Sequence, residues 1–246
     1  MTRLRLATTT PGEPEIFHSL QGEGISAGRP SVFVRLSGCN LACQWCDTPY
    51  TWYFTGHPGK HRGDQTYQRR DNSVTLDIAD VADQIAAHEC RHIVFTGGEP
   101  LLQQPALAAL CDLLGPDYHI EIESNGTVAL AAGFDRHVDQ LNLSPKLAHS
   151  GNDPGLRMNE AALVAYARDT RAWFKFVVAQ PHDAEEITAL ADRCGIASDR
   201  ILLMPEGTCA TDLHARSRWL GPLCLERGWR FTDRLHIHLY GDTRGT

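Results

Sequence analysis

The chain has no apolar run that approaches the length of a membrane span, which is about 20 residues. Residues 1–17 (MTRLRLATTTPGEPEIF) also lack the apolar core of a secretion signal. We therefore expect a cytoplasmic protein without a membrane partner.

An excess of basic residues is missing as well. The 246 residues include 23 Lys and Arg against 30 Asp and Glu, for a formal charge of −7. Proteins that bind a nucleic-acid backbone usually present a basic face, so we expect no nucleic-acid partner. The eight cysteines, in a reducing compartment, do not indicate a disulfide framework either. They must instead serve as core residues, metal ligands or reactive thiols.

Strand-like and helix-like patterns alternate through most of the chain, and 42% of the residues are apolar, enough for a substantial core. After an early strand at 31–36, β-rich apolar runs occupy 92–96, 118–123, 138–143, 173–178 and 200–204. Helix-period stretches lie near 77–89, 104–114, 159–169, 183–194 and 211–227. Repeated strand–helix units predict an α/β fold with a mainly parallel sheet and right-handed crossovers. Because the units are too few for eight, we expect an incomplete TIM-like barrel, with 1–246 as a single domain.

Local signals mark some element boundaries. Asp183 followed by Glu186 resembles a capping box, and Gly195 and Gly228 stand where helices are expected to end. Residues 53–72 are polar and rich in Gly, His and Arg, without apolar periodicity. We expect a surface insertion or flap within the domain there.

The most informative motif is the cysteine loop GCNLACQWCDT at 38–48. Cys39, Cys43 and Cys46 can bind three irons of one [4Fe–4S] cluster and leave the fourth iron open for chemistry, whereas four cysteines are the usual closed arrangement. A zinc site is the alternative, with His57 or His61 as a fourth ligand. Trp45 either shields the cluster from water or simply packs.

Four further segments follow successive strands, where parallel α/β folds place their sites. Each of them alone could be an ordinary turn, but together they indicate one pocket. They are Thr96-Gly97-Gly98-Glu99-Pro100, Glu123-Ser124-Asn125-Gly126-Thr127, Ser144-Pro145-Lys146 and Met204-Pro205-Glu206-Gly207.

The spacing Cys-x3-Cys-x2-Cys, with an aromatic residue before the last cysteine, resembles the signature of the radical S-adenosylmethionine (SAM) superfamily. The resemblance implies a [4Fe–4S] cluster on Cys39, Cys43 and Cys46, with SAM on its open iron. It also implies an external one-electron reductant, of flavodoxin type. The implied SAM-binding residues are Trp45, Asp47, Gly97, Gly98, Glu99, Ser144, Pro145, Lys146, Met204, Pro205, Glu206 and Gly207.

The segment IFHSLQGEGISAGRPSVFVRLSGCNLACQWCDT, at 16–48, closely resembles the 7-carboxy-7-deazaguanine synthase family. That resemblance implies conversion of 6-carboxy-5,6,7,8-tetrahydropterin to 7-carboxy-7-deazaguanine with loss of ammonia, in a homodimer, with SAM regenerated. Arg35 then matches a clamp for the substrate carboxylate, and Thr48 a Mg²⁺ contact. The other implied substrate contacts are Leu20, Gln21, Gly22, Glu23 and Thr96.

Some alternatives stay open from the sequence. Arg35 shares a strand face with Phe33, opposite Val34, but which face is buried is not settled. Lys175 points either into the barrel or out of it. His236, His238 and Tyr240 either line the substrate mouth or alternate along an edge strand. The competing functions are another radical SAM enzyme, such as a glycyl-radical activase, and a zinc-stabilised binding protein.

Overall fold

The computed structural model describes residues 2–63 and 65–246, so residue 1 of the predicted domain and residue 64 of the 53–72 segment lie outside it. The strands are β1 (Arg3–Thr10), β2 (Glu13–Pro14), β3 (Ile16–Leu20), β4 (Pro30–Leu36), β5 (Ser73–Asp77), β6 (His92–Gly97), β7 (His119–Ser124), β8 (Gln140–Leu143), β9 (Ala172–Val178), β10 (Ile201–Pro205) and β11 (Arg230–Phe231). The helices are α1 (Arg69–Asn72), α2 (Ile78–Ala86), α3 (Gln104–Leu114), α4 (Ala132–Asp135), α5 (Pro154–Arg157), α6 (Glu160–Arg168), α7 (Asp183–Cys194), α8 (Ala210–Arg227) and α9 (Leu235–Tyr240).

One mostly parallel sheet organises the fold. Its order is β11-β10-β9-β8-β7-β6-β4-β1-β2, and β3 and β5 pair with β4 and β1. All neighbours from β4 to β11 are parallel, whereas β1, β2, β3 and β5 pair antiparallel. Within the described residues the two ends of the sheet, β11 and β2, do not pair, so the barrel stays open. The predicted α/β, incomplete-barrel architecture is confirmed.

The strands separate core from cavity by the period of two that extended backbone imposes. In β9, Phe174, Phe176 and Val178 lie in the main hydrophobic core, whereas Lys175 and Val177 line a cavity on the other face. The face toward the helices is therefore apolar, and the opposite face is free to carry chemistry.

Strand β4 follows the same rule. Val32, Val34 and Leu36 are core residues, whereas Phe33 and Arg35 face the cavity. The predicted pairing of Arg35 with Phe33 on one face is therefore confirmed, and that face is the one that lines the site.

Helix ends agree with the glycine signals but not with the capping box. Gly195 and Gly228, both in the left-handed conformation, end α7 and α8. Helix α7 begins at Asp183, but its carboxylate accepts from the backbone N–H groups of residues 179 and 180, which precede the helix. Glu186 accepts from the Ala148 N–H instead of closing back on the cap. The capping-box prediction was wrong because Asp183 caps the turn that precedes the helix, and Glu186 accepts from a distant loop.

The 53–72 segment packs against the cysteine loop. Phe54 bridges to Tyr67 and is buried. The Arg62 N–H donates to the Gln44 carbonyl at 2.8 Å, and the ring of His61 lies 2.7 Å from the Cys46 carbonyl.

Across the described ranges of the chain, every helix is too short or too polar to cross a membrane.

Candidate active site

The carboxyl ends of the parallel strands surround a cavity of about 220 Å³. Its lining includes all the predicted substrate contacts, which are Leu20, Gln21, Gly22, Glu23, Arg35 and Thr96. It also includes Cys39, Cys43, Cys46 and Thr48, the predicted metal ligands. Residues more than 70 positions apart therefore meet in one site because parallel strands end at the same edge of the sheet.

The predicted SAM-binding residues divide into two groups. Those that line the cavity are Trp45, Asp47, Gly97, Gly98, Ser144, Lys146 and Met204. Those outside the lining are Glu99, Pro145, Pro205, Glu206 and Gly207. The Glu206 carboxylate forms ion pairs with Arg62 and Arg216. It therefore ties the loop after β10 to its neighbours rather than facing the cavity.

The three cysteine sulfurs lie next to hydrogen-bond donors or hydroxyls. Leu41 N–H donates to Cys39 Sγ at 3.4 Å, and Asn152 Nδ2 donates to Cys43 Sγ at 3.2 Å. Thr48 Oγ1 lies 3.7 Å from Cys46 Sγ. Such donors stabilise thiolate sulfur and tune the potential of an iron–sulfur cluster. The donor set therefore fits the cluster that the cysteine spacing predicts.

Protonation of the three thiols is set by their burial. Burial raises the pKa of Cys39 to about 12 and that of Cys46 to about 11, and it raises the pKa of Cys43 as well. These groups are thiols at neutral pH, whereas a metal binds thiolates. Binding of iron must therefore release protons from this loop.

The zinc alternative fits the geometry poorly. Among the residues that the structure describes, no three His, Cys, Asp or Glu side chains converge tightly enough to hold a single metal ion. The two candidate fourth ligands are also engaged elsewhere: His57 accepts from the Gly59 N–H, and His61 contacts the Cys46 carbonyl.

Close backbone contacts explain why glycine occupies positions 97 and 98. A Cβ on Gly97 would lie 2.2 Å from the Leu36 carbonyl oxygen, and one on Gly98 would lie 2.1 Å from the Gly38 carbonyl oxygen. Gly97 also has a φ of +124°, which L side chains rarely adopt. The glycines therefore let the backbone that leads into the cysteine loop pass directly against β6.

Glu99 is a buried brace between two strand ends. One of its oxygens accepts from the Leu101 N–H at 3.0 Å and from Ser124 Oγ at 2.9 Å, and the other accepts from the Asn125 N–H at 2.7 Å. Although burial raises the pKa of this carboxyl, these donors lower it in part. Glu99 thus joins the loop after β6 to the loop after β7.

Trp45 and Lys146 form one wall of the cavity. The Lys146 ammonium lies 5.6 Å from the centre of the Trp45 ring and donates to Ser144 Oγ at 2.9 Å. Trp45 stacks on His149 at 5.4 Å. The Trp45 indole N–H is buried without a partner among the described residues. This wall therefore offers a cation, a hydroxyl and a free donor to a polar ligand.

A network of ion pairs also lines the cavity. Glu23 pairs with Lys175 and, at 3.0 Å, with Arg234 Nε. Burial opposes ionisation of Glu23, but the two cations outweigh it and hold the pKa below its usual range. Asp47 pairs with the same Arg234, and its pKa is likewise lowered, against burial. The Lys175 ambiguity is thus resolved, since the side chain points into the barrel.

Gln21 is held in one orientation by this part of the site. Its Nε2 donates to Glu121 Oε1 at 2.9 Å and to Glu123 Oε1 at 3.2 Å, and its Oε1 accepts from the Glu23 N–H. Glu123 also accepts from Thr96 Oγ1 at 2.7 Å. Burial raises the pKa of Glu123 even though Lys175 acts in the opposite direction.

The C-terminal segment closes the cavity differently from either sequence-based alternative. It forms helix α9, so the edge-strand alternative was wrong. His236 lines the cavity and packs so closely on Gly22 that a Cβ there would lie 2.0 Å from its Nδ1. His238 instead pairs with Asp233, and Tyr240 is exposed. Only His236 of the three residues therefore reaches the site.

Sequence reasoning missed several residues of the site: Glu15, Glu121, Asn142 and Arg234. Two charges in the apolar run HIEIES were a signal for Glu121, since a buried strand rarely carries carboxylates without partners. No local signal marked Arg234, which reaches Glu23 from 211 residues away.

Comparisons with known proteins agree with this geometry. Residues 33–208 match the family model of the radical SAM superfamily. The 7-carboxy-7-deazaguanine synthase of Halobacterium salinarum is 37% identical, covering 94% of this chain and 91% of the relative. The enzyme of the same name from Pyrobaculum aerophilum is also 37% identical, covering 94% and 95%. The crystal structure of QueE from Escherichia coli superposes with a TM-score of 0.65 at 25% identity, covering 94% of this chain and 95% of that chain. The chain therefore belongs to the 7-carboxy-7-deazaguanine synthase family of the radical SAM superfamily.

Proposed function

We propose that this protein converts 6-carboxy-5,6,7,8-tetrahydropterin to 7-carboxy-7-deazaguanine with loss of ammonia. The observation that carries the proposal is that a mostly buried arginine, Arg35, and a three-cysteine loop share one cavity. Arg35 suits a carboxylate because its guanidinium presents a planar set of donors. The cysteine loop suits a [4Fe–4S] cluster, as its hydrogen-bonded sulfurs indicate.

When bound, the cluster and SAM supply hydrogen-atom abstraction from C6 of the substrate and return of the hydrogen atom after ring contraction. The residues of the chain bind and orient. Cys39, Cys43 and Cys46 would hold the cluster, and the wall of Trp45 and Lys146, with the Ser144 hydroxyl, would contact SAM. The backbone at Gly97 and Gly98 completes this side of the cavity.

The pterin ring is assigned to the end of the cavity that holds Gln21 and Glu123. The substrate presents a guanine-like edge with several N–H donors, which carboxylates complement. Each Glu23 oxygen pairs with a cation, whereas the Glu123 oxygens accept from the neutral donors Gln21 and Thr96. The nearest cation to Glu123, the Lys175 ammonium, lies 4.0 Å away. Glu123 is therefore the carboxylate best placed to read that edge, and Glu23 and Gln21 hold the surrounding groups in place.

Thr48 is proposed to contact Mg²⁺. It lies beside Cys46 and lines the cavity, so a cation there would stand next to the cluster. Magnesium prefers oxygen ligands and keeps several waters, so one protein hydroxyl is enough when substrate oxygens supply others. The bound cation would neutralise the substrate carboxylate and hold it during the rearrangement.

We further propose a single domain over 1–246, a homodimer, a cytoplasmic location and a flavodoxin-like reductant. The continuous core from β1 to α8 supports the single domain. The resemblance to the synthase family supports the dimer and the reductant. Sedimentation of the reconstituted enzyme tests the dimer, and a monomer at micromolar concentration would contradict it.

An anaerobic assay tests the proposed function. Reconstituted enzyme is mixed with the carboxytetrahydropterin, SAM, Mg²⁺ and a chemical reductant. We expect ammonia and 7-carboxy-7-deazaguanine in equal amounts, with SAM not consumed. Enzyme that carries a full cluster but releases no ammonia from this substrate would refute the proposal and favour another radical SAM reaction.

Arg35→Ala is expected to keep the cluster but to raise KM for the carboxytetrahydropterin by about 30-fold or more, since losing one partner of a buried charge pair costs about 2–5 kcal/mol. Iron content and visible absorbance report the cluster, and initial rates report KM. An unchanged KM would exclude Arg35 as the carboxylate clamp.

A further inference from the structure

Glu15 lies between β2 and β3, is fully buried, and lines the cavity. One of its oxygens, Oε1, accepts from Arg35 Nε at 2.8 Å and from the Tyr50 hydroxyl at 3.0 Å. The main chain also joins these two residues, because the Arg35 N–H donates to the Glu15 carbonyl oxygen at 3.1 Å. Glu15 and Arg35 are thus held to each other through both backbone and side chain.

The hydrogen bond to Glu15 leaves the two terminal nitrogens of the Arg35 guanidinium without a partner among the described residues. The bond to Glu15 uses Nε alone, and within the described chain the terminal amino groups of the guanidinium make no hydrogen bond. The Phe17 ring lies 6.0 Å from the guanidinium carbon and limits its movement on one side. The two terminal nitrogens therefore remain free, in a fixed plane, for two parallel bonds to a carboxylate.

The second Glu15 oxygen shows that the pair is not arranged for stability alone. Oε2 is buried and has no partner among the described residues. Leaving a buried acceptor unpaired costs free energy, and such exceptions call for an explanation. A two-bond pair with Arg35 would satisfy Oε2, but it would also consume one of the terminal nitrogens.

We propose that Glu15 is a positioning residue, which fixes the Arg35 guanidinium so that its two terminal nitrogens receive the substrate carboxylate. This inference rests on the proposed function, since it takes the carboxylated pterin as the ligand. Glu15 acts through Arg35 and does not touch the pterin ring. Its hydrogen-bond acceptor, rather than its charge alone, sets the orientation, with Tyr50 holding the acceptor in place.

The test measures binding by the reconstituted, SAM-bound enzyme under anaerobic calorimetry. The two ligands are 6-carboxy-5,6,7,8-tetrahydropterin and 5,6,7,8-tetrahydropterin, which lacks the carboxylate. The variants are Glu15→Met, which removes the acceptor at similar length, and Glu15→Gln, which keeps one carbonyl acceptor. The set is completed by Arg35→Ala, the double variant Glu15→Met/Arg35→Ala, and the control Glu160→Gln. The control neutralises the carboxylate of an exposed Glu–Arg pair of similar length, 2.9 Å, whose residues do not line the cavity.

Glu15→Met is expected to raise the dissociation constant of the carboxylated pterin about tenfold, which corresponds to about 1.4 kcal/mol, and to leave that of tetrahydropterin unchanged. Glu15→Gln should recover most of the loss. The double variant should bind like Arg35→Ala, because Glu15 then has no arginine to orient. Glu15→Met leaves the Arg35 charge without its partner, and the double variant removes that charge as well. The double variant can therefore still be compared with Arg35→Ala if Glu15→Met alone does not fold.

Three results would overturn the inference while the proposed function stands. The first is that Glu15→Met loses affinity equally for both pterins, and the second is that Glu15→Gln binds the carboxylated pterin as weakly as Glu15→Met. The third is that the double variant binds it more weakly than Arg35→Ala. A wild-type enzyme that binds neither pterin would overturn the inference together with the proposed function.

Discussion

Replacement of Cys43 by alanine is expected to abolish both the iron–sulfur cluster and the activity. Wild-type enzyme reconstituted anaerobically should be brown and carry about four irons per chain, as one [4Fe–4S] cluster requires. Cys43 is buried, and its sulfur accepts a hydrogen bond from Asn152. With one of three ligands gone, the remaining pair should not retain the cubane, and turnover should fall below detection.

The matched control is Cys209→Ala, which removes an exposed cysteine outside the cavity. Its iron content, visible absorbance and ammonia release should equal those of the wild type. A Cys43→Ala protein that kept its absorbance and iron would show that Cys43 is not a ligand. Colourless wild-type protein with stoichiometric zinc would instead revive the binding-protein alternative.

Lys175→Met is expected to cause the largest loss of stability among the substitutions considered. Lys175 is buried, pairs with Glu23 and lies 4.0 Å from Glu123. Removal of one member of a buried ion pair typically costs about 3–5 kcal/mol, because the partner charge is left uncompensated. For a chain of this size we expect the thermal midpoint of the reconstituted enzyme to fall by about 6–20 °C at neutral pH.

The loss of stability in Lys175→Met should depend on pH. Without Lys175, the folded-state pKa values of Glu23 and Glu123 rise, which places the penalty in the pH range where these groups ionise. The loss should therefore shrink as the pH falls through those raised pKa values and the carboxylates become neutral. Unfolding followed at several pH values checks this, with the exposed Lys60→Met as control. A loss independent of pH would contradict an electrostatic origin.

The double variant Glu23→Gln/Lys175→Met separates charge from packing. Because it removes a carboxylate that has lost one of its two cations, and Arg234 still pairs with Asp47, it should be more stable than Lys175→Met alone. If the two variants unfold at the same midpoint, the Glu23–Lys175 pair does not carry the effect.

Much of the architecture could be predicted from local pattern. Alternating strand and helix periods placed β6 to β10 and their helices within a few residues, because burial on both sides of a parallel sheet requires apolar runs. The cysteine spacing was equally local, since the three proposed cluster ligands lie on one short loop, at 39–46. The predicted capping box at Asp183 failed because Asp183 accepts from the turn before the helix, whereas Glu186 accepts from Ala148, which is distant in the sequence.

The sequence by itself determined the cysteine loop, the order of the strands along the chain, and the set of segments that end at the site. The tertiary structure alone decided which charges meet there. Arg234 reaches Glu23 and Asp47 from the other end of the chain, and the Lys175 side chain takes the cavity face of β9. Glu15 accepts from Arg35 Nε with only one oxygen, so the terminal nitrogens of the Arg35 guanidinium stay available for a ligand. Such pairings depend on distances between side chains of remote strands, which no local period or spacing encodes.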